Sequence, residues 1–179
     1  SASGLDSIEG NLALWLDASN INGQGNSGLA NGDDIKTWFD MSGNGNHVSQ
    51  TDAGRMPEFT QNSDVNNNPG LVFSSDYLGN TNTTTFDDWT DFTMVAVYET
   101  NDSQQAQIAV DIIWNGRDNE TILTSGSGYF NARQPSGTAS QARFDGVQNN
   151  TPYIVYNVDS NDSAEIYFNN KKGGVAGTN

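Results

Sequence analysis

Short runs of alternating apolar and polar residues recur along the chain between clusters of Gly, Asn and Asp. No long segment carries apolar residues at the i, i+3, i+4, i+7 spacing of a helix. This pattern predicts many short strands. Residues 12–16 place Leu12, Leu14 and Leu16 on one face and Trp15 on the other, and residues 71–73 form a shorter run. Residues 92–98 are apolar on both faces, which predicts a central strand covered on both sides. Further strands are expected at 107–114, 120–124, 129–132, 141–144, 153–158 and 164–168. In the last of these, Ile166 and Phe168 should face a core while Glu165 and Tyr167 face outward, and residues 159–163 (DSNDS) read as the hairpin connection before it. About nine strands at this spacing argue for a two-sheet sandwich.

Glycine-rich and amide-rich stretches separate these runs. Residues 23–34 (GQGNSGLANGDD) and 61–68 (QNSDVNNN) are long for connections inside a small domain, and a helical turn capped by Asp33 or Asp34 is expected over 33–39. In DMSGNGN, Gly43 and Gly45 can take positive φ where the chain reverses, and the Asp40 carboxylate can accept hydrogen bonds from the amides of that turn. That structural role accounts for the motif.

At 179 residues the chain is long enough to bury a core as one domain without staples, and it contains no cysteine. No run approaches the roughly 18 apolar residues that cross a bilayer as a helix, and the opening SASGLDSIEG lacks the basic and apolar regions of a signal peptide. With 22 acidic and 7 basic residues the net charge is −15, which repels nucleic-acid phosphates and anionic lipid. Nucleic-acid partners and membrane insertion are therefore not expected.

Several stretches, in order, resemble a known family: LALWLDASNING (12–23), IKTWFDMSGNGNHVSQ (35–50), PGLVFSSDYL (69–78) and DFTMVAVYET (91–100), with a weaker match in AEIYFNNKKGGVAGT (164–178). The chain resembles the laminin-G-like, concanavalin A-type jelly-roll domains of large bacterial surface proteins such as the RTX-type adhesins. The resemblance implies an all-β fold of two antiparallel sheets and an extracellular, cell-surface location. It also implies a non-catalytic adhesion module that contacts glycan or a surface protein, or that scaffolds a neighbouring ligand-binding domain of the same chain. Such domains normally continue past the hairpin at 164–178 with a late strand that pairs beside the first. The expectation is therefore a domain split by an insertion in its parent protein, the alternative being closure by residues 1–10.

The competing reading is an accessory or catalytic domain of a polysaccharide-degrading enzyme. Retaining glycosidases place two carboxyl groups about 5 Å apart. The corresponding Glu-x-Asp-x-x-Glu strand is absent, and Glu9, Glu58, Glu99, Glu120 and Glu165 are too widely spaced to supply it. His47 is the single histidine, which leaves neither a triad with a nearby acid nor a histidine zinc site. Calcium is the expected cation, with Asp17, Asn20 and Asn22 at alternating positions in one loop and Asp76 after a strand as candidate ligands, although none fits the EF-hand pattern. For sugar stacking, Trp89, Trp114 and Tyr129 are the candidates because turn-forming residues lie close by, whereas Trp15 and Trp38 read as core.

Overall fold

Alternation becomes ladder most clearly in the second half of the chain. The computed structural model describes residues 9–80, 91–102, 107–114, 117–124, 142–143, 147–160 and 163–175, within two compact units, Ser1–Thr85 and Phe86–Asn179. The described residues are almost entirely strand, turn and irregular backbone. Their helical content is three 3₁₀ turns, at Glu9–Asn11, Ala18–Asn20 and Ala53–Arg55, and no helix among them is long and apolar enough to cross a membrane.

The first unit is held by short ladders. Strand β1 (Thr37–Trp38) pairs antiparallel with β2 (Val48–Ser49), and β3 (Glu58–Thr60) with β4 (Gly70–Val72). Isolated bridges join Leu16 to Asp40, Asp34 to Glu58 and Ser49 to Gly79. A small core of Ile21, Ile35 and Phe59, with Leu29, Trp38 and Leu71 packed on it, sits among these pieces. Between β3 and β4 the loop closes on itself: the Ser63 amide and hydroxyl both donate to the Asn68 carbonyl, at 2.8 and 2.7 Å, and Asn66 and Asn67 take φ of 54° and 61°. Asparagine tolerates that left-handed region better than most residues.

The second unit is built on longer strands: β5 (Asp91–Tyr98), β6 (Gln107–Trp114), β7 (Arg117–Thr124), β8 (Ala142–Arg143), β9 (Tyr153–Ser160), β10 (Ser163–Phe168), β11 (Lys171–Lys172) and β12 (Gly174–Val175). A four-stranded antiparallel sheet runs in the order β11-β10-β9-β5, beside a β6-β7 hairpin and a β8-β12 pair. Its inner face carries Met94, Val155, Ile166 and Phe168, which with Tyr153 and Val147 form one buried cluster. Tyr153 meets Phe168 edge to face at 5.9 Å. Asn169 and Asn170, at φ 44° and 65°, make the two-residue turn from β10 to β11, a conformation whose twist matches the flanking strands.

The alternation read at 164–168 holds: Ile166 and Phe168 are buried, and Glu165 and Tyr167 lie on the other face. Gly43 and Gly45 take the expected positive φ, 89° and 73°. Three expectations are corrected. Residues 12–16 form no strand; their one ladder contact is the Leu16–Asp40 bridge, because side chains of the 40–46 turn take up their backbone groups instead. Residues 33–39 form no helical turn; Asp34 and residues 37–38 are extended, and the Asp33 carboxylate accepts from the Ala30 amide at 2.8 Å, closing the turn before it. Strand β5 is not covered on both faces, since Val95 and Val97 are 63% and 57% exposed. The strand expected at 129–132 lies outside the described residues.

Candidate functional site

In the loop expected to hold calcium, each candidate side chain accepts a hydrogen bond from the loop's own backbone. Asp17 caps the 3₁₀ turn that follows it, accepting from the Ser19 amide at 2.8 Å and the Ser19 hydroxyl at 2.7 Å. Asn20 Oδ1 accepts from the Gly25 amide at 2.6 Å, and Asn22 Oδ1 accepts from the amides of Gln24 and Asn26 at 2.9 and 3.0 Å. Asp76 accepts from the Ser74 amide at 2.7 Å. Each candidate thus terminates a turn, the local bonding for which Asp and Asn are selected there.

Among the described residues the densest polar centre is Asp40, 6% exposed. Its Oδ1 accepts from the amides of Trp15 and Ser42, both at 2.9 Å, and its Oδ2 accepts from the Ser42 hydroxyl at 2.8 Å and the Asn46 amide at 2.9 Å. The same turn reaches the 12–13 backbone through Asn44 Nδ2, which donates to the Leu12 carbonyl at 2.7 Å, and Asn46 Nδ2, which donates to the Ala13 carbonyl at 2.8 Å. His47 closes it, its Nδ1 accepting from the Asp40 amide at 2.9 Å while its ring rests against Phe39. The single imidazole is therefore engaged as a turn acceptor. Burial would raise the Asp40 carboxyl, but the hydrogen bonds from Trp15, Ser42 and Asn46 together outweigh it and hold the group below its ordinary 3.8.

An open cleft of about 440 Å³ in the first unit is lined by Asp34, Met56, Glu58, Val72, Ser74 and Asp76 among others. Register explains the lining. Glu58 faces Val72 across the β3-β4 ladder and Asp34 across the bridge, and the bonds flanking that bridge (Ile35 amide to Pro57 carbonyl, Phe59 amide to Asp33 carbonyl) make Asp34 and Glu58 a non-hydrogen-bonded pair, the closer of the two antiparallel pair types. Two like charges on one rung are unfavourable for folding. Among the described residues no three His, Asp or Glu groups converge closely enough to hold a metal ion.

The outer face of the four-stranded sheet is the other candidate. Val95, Val97 and Ile154 are each more than half exposed, and register puts Val97 opposite Ile154 and Val95 opposite Tyr156, which in turn faces Tyr167. The two tyrosine rings stack at 4.5 Å and 10°, a separation close to the spacing of adjacent strands, so both rings stand on edge over the sheet. The Lys172 ammonium lies 5.9 Å from the Tyr167 ring and pairs with Glu165, which also accepts from the Tyr167 hydroxyl. Lys172 and Tyr167 hold the Glu165 carboxyl below its ordinary value. The only charges in this Glu165–Tyr167–Lys172 cluster thus neutralise each other.

Of the aromatic candidates, Trp89 and Tyr129 lie outside the described residues, and Trp114 ends β6 with its backbone opposite Arg117. Asp17, Asn20 and Asn22 share one loop, and Asp76 lies apart, in the cleft. The apolar outer strip of Val95, Val97 and Ile154 was missed because residues 92–98 read equally well as a strand buried on both faces. No family model, curated protein or solved structure matches the chain.

The Asp40 centre yields a direct expectation. Asp40→Asn turns one acceptor oxygen into a donor that faces donors, so it should lower unfolding free energy by about 1–3 kcal/mol in neutral urea titrations. Because the folded carboxyl titrates below its ordinary 3.8, the wild-type contribution is complete above that value and is lost as pH falls through the folded one. The gap between wild type and variant should therefore be constant near neutrality and close in stronger acid; a gap that persists unchanged there contradicts the role given to the charge.

Proposed function

We propose that the chain is a non-catalytic extracellular contact module of the two-sheet jelly-roll type, and that its working surface is the outer face of the four-stranded sheet. The observation that carries this reading is the exposed row of Val95, Val97 and Ile154 beside the stacked tyrosines. A contiguous apolar strip on a strongly acidic protein is costly to leave in water and marks a contact surface. The engagement of His47 by the Asp40 amide supports a non-catalytic reading, as do the turn-capping roles of Asp17 and Asp76.

The partner we propose is a polypeptide surface, of a surface protein or of a neighbouring domain. Sugar rings stack on exposed aromatic faces, and here Tyr156 and Tyr167 turn their faces to each other and to Lys172. A peptide array and a glycan array, probed side by side with wild type and with Val95→Lys/Ile154→Lys, test the assignment. Peptide signal that disappears in the double variant is expected. Signal on either array that ignores both substitutions would move the contact surface elsewhere.

Calcium belongs to this proposal through the acidic cleft, where the Asp34 and Glu58 carboxylates, opposite each other on one rung, would be relieved of repulsion by a weakly held, largely hydrated cation. Millimolar calcium should then raise the melting temperature by mass action, and chelator should reverse the rise. Asp34→Asn/Glu58→Gln should abolish the response. Equal melting temperatures in calcium and in chelator would remove the ion from the reading.

A further inference from the structure

In an Asn-Gly pair the glycine nitrogen can attack the preceding side chain. A bond forms from that nitrogen to the asparagine Cγ, the Cγ–Nδ2 bond breaks, and the amide proton departs with Nδ2 as ammonia. Water then opens the cyclic imide to aspartate or isoaspartate. The described residues contain three such pairs, Asn22–Gly23, Asn31–Gly32 and Asn44–Gly45. They differ at the attacking nitrogen. The Gly23 amide donates to the Asn20 carbonyl at 3.2 Å and the Gly32 amide to the Phe59 carbonyl at 2.9 Å, whereas the Gly45 amide donates no hydrogen bond among the described residues. Asn44 is also exposed, and nothing lies within 4 Å of the position a Cβ would take at Gly45.

We propose that Asn44 is a site of spontaneous deamidation, and that its conversion releases one arm of the clasp between the 40–46 turn and residues 12–13. The carboxamide donates to the Leu12 carbonyl at 2.7 Å and to the Ala13 carbonyl at 3.4 Å. The product carboxylate has no hydrogen to donate and sets a negative charge against both carbonyl oxygens. The isoaspartate product also lengthens the backbone before Gly45, which displaces the Asn46 amide from its 2.9 Å bond to Asp40. Attack requires the Asn44 side chain to leave the Leu12 carbonyl first, so the rate of modification follows the opening of this corner.

Peptide mapping by mass spectrometry after incubating the intact folded chain in mildly alkaline buffer tests this, with an isoaspartate-specific methyltransferase to count the rearranged product. Asn44 should convert several-fold faster than Asn22 or Asn31, and the three rates should converge in concentrated urea, where folded bonds no longer shield Gly23 and Gly32. Equal rates in the folded chain, or faster conversion at Asn22 or Asn31, overturn the assignment. Asn44→Asp should melt below wild type and be cut earlier by protease near residues 9–16. A variant that matches wild type in both respects overturns the role of the clasp.

Discussion

A backbone that forms ladders only two or three residues long must find other partners for most of its amides and carbonyls, since leaving them buried and unmade costs about as much as the bonds would contribute. In residues 9–80 the partners are other turn and loop backbone groups together with Asp and Asn side chains. Asp40 alone takes three backbone amides and a hydroxyl from two separate stretches, and so joins the 12–16 segment to the turn that follows β1. Asn44 and Asn46 add donors to the same segment, and Asn26 joins the 17–26 loop internally by accepting from the Ile21 amide and donating to the Ala18 carbonyl. The small apolar cluster of Ile21, Ile35 and Phe59 is packed within this polar frame.

The same requirement explains why an acidic, amide-rich surface need not be a ligand surface. Asp17, Asn20 and Asn22 alternate as calcium ligands often do, yet each has a side-chain oxygen that accepts from an amide of its own loop. The second unit meets the same requirement with strands of up to eight residues. Its inner face is consumed by the cluster around Val155, Ile166 and Phe168. What the described ladders and core of this unit do not account for is the exposure of Val95, Val97 and Ile154 on its outer face, the apolar surface on which the proposed contact role rests.

Much of the strand pattern was legible from alternation alone. Residues 107–114 form β6 as read, 92–98 and 153–158 fall within β5 and β9, and the inward pair Ile166 and Phe168 was correctly set against Glu165 and Tyr167. The capping role of Asp40 was legible too, because glycines at 43 and 45 imply a tight reversal with amides to satisfy. Residues 12–16 misled because alternation of Leu and Trp signals extended backbone without saying whether a neighbouring strand or a set of side chains will bond to it. The Asp34–Glu58 rung was invisible for a related reason: it depends on pairing between segments more than twenty residues apart in sequence. Exposure of Val95 and Val97 could not be read locally, since a strand apolar on both faces looks the same whether its second face meets another layer of the protein or a partner.

The central claim is that side chains, with Asp40 foremost, tie together the turns of the first unit where its ladders are short. Amide hydrogen exchange measured residue by residue tests it most directly. The amides of Trp15, Ser42 and Asn46 should exchange as slowly as those at the middle of β9, although none of the three lies in a strand, while the exposed Gly43 and Gly45 amides beside them exchange rapidly. Exchange at Trp15, Ser42 and Asn46 as fast as at Gly43 would show that the carboxylate does not hold this frame together.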